Sequence, residues 1–167
     1  MQDLTAADRA SGGSPPVSVH FVNNVLAAAA SYIEDDPEQA RDVLALLSQF
    51  LTYRLAGAAE PVPVTRELEH VAVYLRLEQA RFPDRIACEL PEARDLPEAS
   101  VSRAWIQTPV AEGLGRRLRE RTGPCRLVLR VRPGRSELGL ELAAPGGETD
   151  AAQHIRIPLA PAAVEAL

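Results

Sequence analysis

The chain has 167 residues, one ordinary domain or two small ones, with 46% apolar and 25% charged residues. Its 18 basic and 23 acidic residues leave a net charge of −5, which argues against a phosphate-backbone binder. Every basic residue is arginine, so a Walker P-loop and a Schiff-base lysine are excluded.

Cys88 and Cys125 stand far apart in no redox or metal pattern and read as packing residues. His20, His70 and His154 match no zinc spacing, and no metal is expected. No apolar run reaches the roughly 18 residues of a membrane span. The polar, acidic N-terminus is unlike a signal peptide, so a cytoplasmic protein is the expectation.

Residues 1–16 end in Ala-Ser-Gly-Gly-Ser-Pro-Pro and read as a flexible tail. Val17 to Ile33 then runs without Gly or Pro and predicts a helix. Asp36-Pro37-Glu38 has the chemistry of a helix start: a capping carboxylate, a proline at the first position, an acid in the first turn. Ala40, Val43, Leu44, Leu47, Leu51 and Leu55 follow at helical period, and Gly57 is a plausible stop. Two helices joined by a short turn form a hairpin that cannot cover its own apolar stripe.

Ala58 to Val64, with Pro61 and Pro63, reads as a linker. Thr65 is expected to cap a third helix, Arg66 to about Phe82, with Leu68, Val71, Leu75 and Glu78 on one face. Arg85 to Leu90 predicts a strand, and Pro91 to Pro97 an acidic loop. Val101 to Arg121 predicts a helix kinked near Pro109. Cys125 to Arg132 alternates, which predicts a half-exposed strand; a turn at Pro133 to Ser136 returns it through Leu138 to Leu142. Pro145 to Asp150 is a loop, and His154 to Leu159 a last strand.

Chemistry concentrates in His20-Phe21-Val22-Asn23-Asn24. His20 and Asn24 are four apart and share a helix face. An exposed imidazole can accept a phosphoryl group, and an amide one turn away can orient it. By itself the pattern is equally an ordinary helix surface. Arg116, Arg117, Arg119 and Arg121 form a cationic helix end, read as dipole complementation or as a docking surface for an acidic domain. Glu67, Glu69 and Glu78 read as solvated or in i,i+4 pairs. His70 and His154 show no evident partner, and Trp105 reads as core.

From Val19 to Arg85, about 65 residues, the chain resembles the LytS-type sensor histidine kinases. Their helix opens Asn-Pro-His-Phe-Leu-Phe-Asn where this one reads Ser18-Val19-His20-Phe21-Val22-Asn23-Asn24. The likeness continues through Asp36 to Ala40, Leu47 to Arg54, Val62 to Glu69 and Tyr74 to Arg85. The resemblance implies His20 as phosphoacceptor and Asn24 as its orienting partner. Val19 and Asn23 depart from the family's Pro and Phe.

The second half is similar to the family's ATP-binding domain only in outline. Ile106 to Leu114 parallels its Leu-Gln-Pro-Leu-Val-Glu-Asn-Ala helix; aligned without gaps, Ala111 stands at the catalytic Glu and Glu112 at the magnesium-binding Asn, and a one-residue shift would restore a Glu but not the Asn. Ala143-Ala144-Pro145-Gly146-Gly147 stands where an Asp-x-Gly-x-Gly loop would hold adenine. Losing that carboxylate leaves a buried amino group unpaired, at a cost of about 1–3 kcal/mol. Only Glu148 to Gln153 separate Gly147 from the last strand, leaving no room for the family's lid.

The resemblance therefore implies an α+β protein with three parts. A tail at 1–16 precedes a hairpin at 17–57 that dimerises as a four-helix bundle. A shortened, degenerate ATPase-like α/β sandwich follows at 65–167. No cofactor is expected. Histidine phosphotransferases of the sporulation type share this logic by analogy. One reading is a phosphorelay intermediate acting through His20; the other is a pseudokinase scaffold or inhibitor. A small active kinase is a third. Expected partners are a second copy of the chain and either a response-regulator receiver domain or a histidine kinase, with neither nucleic acid nor membrane.

Overall fold

Ser18 begins the first helix by accepting the Phe21 N–H on its hydroxyl at 3.3 Å. The computed structural model describes residues 17–56, 61–120, 123–131, 137–143 and 153–158. The tail at 1–16, the stop at Gly57, residues 58–60 of the expected linker, the 133–136 turn and the Ala144–Gly147 loop lie outside them. Helix α1 spans Val19–Tyr32 and α2 spans Pro37–Leu55. Between them Asp36 does what its chemistry predicts: its carboxylate accepts the Gln39 N–H at 3.0 Å, with Pro37 opening the helix.

Ala40, Val43, Leu46, Leu47 and Phe50 of α2 are buried, while Leu44 and Leu55 face outward. Val19, Leu26 and Ile33 of α1 are also exposed. These last three recur every seven residues, and Leu44 and Leu55 are three turns apart, so each helix carries one outer apolar stripe. Tyr32 ties the hairpin to the next helix by donating its hydroxyl to the Ala80 carbonyl at 3.0 Å.

Strand β1 (Val62–Pro63) pairs antiparallel with β3 (Ser100–Val101). Helix α3 follows at once over Val64–Arg81. Thr65 is not its cap. The Val64 N–H is already donated to the Ala99 carbonyl at 2.9 Å, continuing the β1–β3 pairing, and extended Pro63 stands at the cap position. Thr65 therefore falls inside the first turn. Tertiary pairing supplied what a side-chain cap would have supplied.

Strand β2 (Ile86–Glu89) lies parallel to β4 (Cys125–Val131) at one edge of a four-stranded sheet. Antiparallel β5 (Glu137–Ala143) and β6 (Gln153–Pro158) complete the order β2-β4-β5-β6. In β4, Cys125, Leu127 and Leu129 are buried and Arg126 and Arg130 exposed, as alternation requires. Val128, on the outer side, is buried too. The crossover from β2 to β4 holds a short 3-10 turn (Ala93–Asp95), then α4 (Gln107–Glu120).

The helix expected over 101–121 is thus shorter and unkinked. Pro109 is the third residue of α4, in the first turn, where no intrahelical N–H is required of it. The fold is α+β. One buried cluster joins Val25 and Phe50 of the hairpin to Leu75 of α3, Leu114 of α4 and Leu127, Leu138 and Leu142 of the sheet. Among the described residues no helix is long and apolar enough to cross a membrane.

Leu75 is fully buried at the centre of this cluster, whereas Leu55 is 73% exposed. Leu75→Ala should cost about 2–5 kcal/mol in urea unfolding, and Leu55→Ala under about 0.5 kcal/mol. Equal costs would overturn this placement of the core.

Candidate functional site

His20 sits in the first turn of α1 with its side chain exposed. Asn24 Nδ2 lies 3.1 Å from His20 Nε2. An amide donor at that nitrogen requires the ring proton on Nδ1, and the Nε2 lone pair accepts the Asn24 hydrogen bond. The next residue points inward. The Phe21 ring packs 5.2 Å from Phe50 and 5.6 Å from Tyr74, with the Arg81 guanidinium 5.4 Å from its centroid. Phe21 thereby fixes the rotation of α1 that keeps His20 outside.

His20 stands on the rim of a cleft of about 580 Å³ between the hairpin, α3 and α4. Gln107, Thr108, Ala111 and Glu112 line its α4 wall, and Glu78 and Arg81 its α3 wall. Ala111 and Glu112 therefore face the same cleft as the histidine. Among the described residues no group of three or more His, Cys, Asp or Glu is placed to hold a metal ion.

Two carboxylates expected in solvent are buried. Glu78 accepts the Tyr74 hydroxyl at 2.8 Å and Arg81 Nη1 at 2.7 Å. Burial pushes its carboxyl up, and Arg81 and then Tyr74 oppose the rise. Glu67 is fully buried. One oxygen accepts the Tyr53 hydroxyl at 2.6 Å and the Ala104 N–H at 3.1 Å; the other accepts the Ile106 and Gln107 N–H groups, each at 3.3 Å. Burial raises this carboxyl as well, and its four donors resist, Tyr53 most. Glu69 alone of the three is exposed.

Glu67 thus caps α4 from another helix. Pro109 has no N–H to satisfy, and Thr108 donates to the Ala104 carbonyl at 2.9 Å. Ala104 itself is held at φ 61°, a left-handed conformation costing a residue with a Cβ about 1–2 kcal/mol. A second tie runs beside the first, from Arg54 Nη1 to Gln107 Oε1 at 2.9 Å.

Sequence reasoning missed this cluster, although a signal existed. Glu67, Val71, Tyr74 and Glu78 are spaced 4, 3 and 4, so both carboxylates share a stripe with buried Val71 and Tyr74. On α3 only Arg66, Glu69 and Arg76 are exposed, so this stripe does not face water.

His70 has partners after all: its ring stacks on Tyr53 at 4.0 Å and on Phe50 at 5.1 Å. His154 stands in β6 opposite Glu141. The cationic end of α4 is divided, because Arg117 is buried beside Cys125 while Arg116 and Arg119 are exposed; Arg121 lies outside the described residues. Cys125 is buried and Cys88 half-buried, both as free thiols raised by burial. Trp105 is half-buried against the core.

Residues 16–86 match the family model described as Histidine kinase. The sensor protein LytS of Oceanobacillus iheyensis is 37% identical over 97 residues, 58% of this chain and 16% of that protein. LytS of Staphylococcus saprophyticus is 30% identical over 131 residues, 78% of this chain and 22% of the relative. The sensor histidine kinase BtsS of Escherichia coli K12 is 32% identical over 96 residues, 58% of this chain and 17% of the relative. The chain is a LytS-type histidine-kinase-related protein. It spans only about a fifth of the length of the curated relatives it matches.

Burial, then the Arg54 and Arg103 guanidiniums, pull the His70 imidazole down to about 4. Unfolded, it titrates near 6.5, so unfolding takes up a proton between these values. The stability this group provides is complete above pH 6.5 and is lost as pH falls toward 4. Glu67 and Glu78, raised by burial, act in the opposite sense. Between pH 6.5 and 4 the native protein should therefore lose about 1–3 kcal/mol relative to His70→Phe, read by urea unfolding at each pH. Parallel pH profiles would overturn the assignment.

Proposed function

We propose that this protein is a histidine phosphotransferase of a two-component phosphorelay, a kinase relative that no longer uses ATP. One observation carries the reading: an exposed imidazole, oriented by an amide at 3.1 Å, on the rim of an open cleft. In the transfer, the Asn24 N–H leaves His20 Nε2, and the freed lone pair attacks the phosphorus of a receiver's aspartyl phosphate. The acyl P–O bond breaks, the aspartate leaves as a carboxylate, and the phosphoryl group stays on Nε2. Attack by a second receiver's carboxylate reverses these steps. Asn24 first holds the ring and then donates to a phosphoryl oxygen. ATP chemistry needs positioned metal and nucleotide, and here Ala111, Glu112 and Ala144 occupy the positions that would serve them.

Incubation with a labelled phospho-receiver from the same genome should label the native protein. His20→Gln should abolish the label with the fold intact. Asn24→Ala should slow transfer about tenfold, equivalent to about 1.4 kcal/mol. Mg-ATP should neither label the protein nor give a dissociation constant below about 100 µM, roughly −5.5 kcal/mol, by calorimetry. Labelling from ATP would overturn the loss of nucleotide use.

The reading includes a homodimer formed by two hairpins as a four-helix bundle, in the cytoplasm where receivers reside. The outer stripes of Val19, Leu26, Ile33, Leu44 and Leu55 support it. Leu47 is buried within the protomer, so it belongs to the fold rather than to the interface. Leu44→Glu with Leu55→Glu should give a folded monomer by light scattering, because dimerisation would bury unpaired charge. A native monomer would sink the bundle. The same stripes favour a second reading, a scaffold that grips a kinase or regulator; under it, His20→Gln leaves partner binding and phenotype unchanged.

A further inference from the structure

We infer that Tyr53, Arg54, Glu67 and the strained turn at Ala104 form a latch, through which the last turn of α2 sets the first turn of α4 and so the α4 wall of the His20 cleft. The inference deepens the phosphotransferase reading by assigning its regulation, and its functional meaning rests on that reading.

Three observations carry it. First, α4 depends on α3 for its capping: the Ala104, Ile106 and Gln107 N–H groups all end on Glu67. Second, both remaining ties come from the end of the hairpin. Tyr53 and Arg54 lie in the last turn of α2 and reach Glu67 at 2.6 Å and Gln107 at 2.9 Å. Third, the turn is under tension. Ala104 keeps a left-handed backbone, and its own N–H is one of those Glu67 holds.

Together these make a two-position element rather than a passive contact. While Tyr53 and Arg54 are engaged, Glu67 is held where it can accept all three backbone donors and Ala104 stays strained. A rotation or axial shift of α2 withdraws the Tyr53 hydroxyl from a fully buried carboxylate. That loss weakens the grip on the turn, and Ala104 gains by relaxing. Gln107 and Thr108, the first residues of α4, then move, and they line the cleft. An event on the exposed hairpin is thereby felt at the phosphoacceptor's cleft without touching His20.

Amide hydrogen exchange on the full chain tests this. Tyr53→Phe removes one hydroxyl and keeps the ring, so the fold is retained. It should raise exchange about tenfold at Ile106, Gln107 and the α4 residues that follow, with α1 and the sheet unchanged. Ala104→Gly relieves the strain; alone it should slow exchange there, and combined with Tyr53→Phe it should restore most of the protection. Exchange in Tyr53→Phe that is unchanged at α4, or raised uniformly across the protein, would overturn the latch. So would a double variant in which Ala104→Gly restores none of the protection that Tyr53→Phe removes. Phosphotransfer is scored separately. If His20→Gln leaves labelling intact while Tyr53→Phe shifts α4 exchange, the relay fails and the latch stands.

Discussion

A single buried carboxylate organises the join between the hairpin and the rest of the protein. Glu67 has no exposure, and an isolated charge there would be expensive. It is tolerated because four donors converge on two oxygens, three of them backbone groups that would otherwise be unsatisfied at the start of α4. The arrangement is reciprocal: α4 needs an acceptor and Glu67 needs donors. Replacing the acid with an apolar residue of similar volume would leave three buried N–H groups orphaned, each worth about 1–3 kcal/mol. This explains an acid in the middle of a buried stripe, where hydrophobicity alone would place a leucine.

Much of the fold was legible wherever local chemistry decides the structure. Asp36-Pro37 capped its helix because the relevant donors and acceptor are neighbours in sequence. The β4 alternation survived because one sheet face is buried and the other carries Arg126 and Arg130, which pair with Glu89. Reading failed where distant partners override local preference. Thr65 lost the capping position because Ala99, more than thirty residues on, took the Val64 N–H. Pro109 did not kink α4 because the helix starts only two residues before it, a boundary set by Glu67 from α3. Period places Glu78 on the face of Leu68, Val71 and Leu75, and it does pair with Tyr74 four residues before it. The burial of Glu67 depends on donors from α2 and the start of α4 that local spacing does not show.

The candidate site was legible in part. The His20–Asn24 pair follows from four-residue spacing, and the ring-to-amide distance of 3.1 Å is what that spacing allows. The cleft was not legible, because its walls come from α1, α3 and α4, separated by dozens of residues. Nor could spacing show that Ala111 and Glu112 would face the same space as the histidine.

The exposure of His20 is itself a consequence of packing one residue further on. Phe21 is anchored by Phe50, Tyr74 and the Arg81 guanidinium, and Arg81 is in turn fixed by Glu78. A helix turns about 100° per residue, so burying Phe21 in this cluster swings His20 to the rim. The same geometry sends Val19 outward, 72% exposed, into the stripe with Leu26 and Ile33. One aromatic anchor therefore sets three environments along adjacent residues: an exposed apolar side chain at 19, an exposed imidazole at 20 and a ring against the core at 21. Where the family carries proline before the histidine, this chain carries valine, which adds a backbone donor and a β-branched surface at the helix start. That change strengthens the outer stripe and leaves the imidazole where Phe21 puts it.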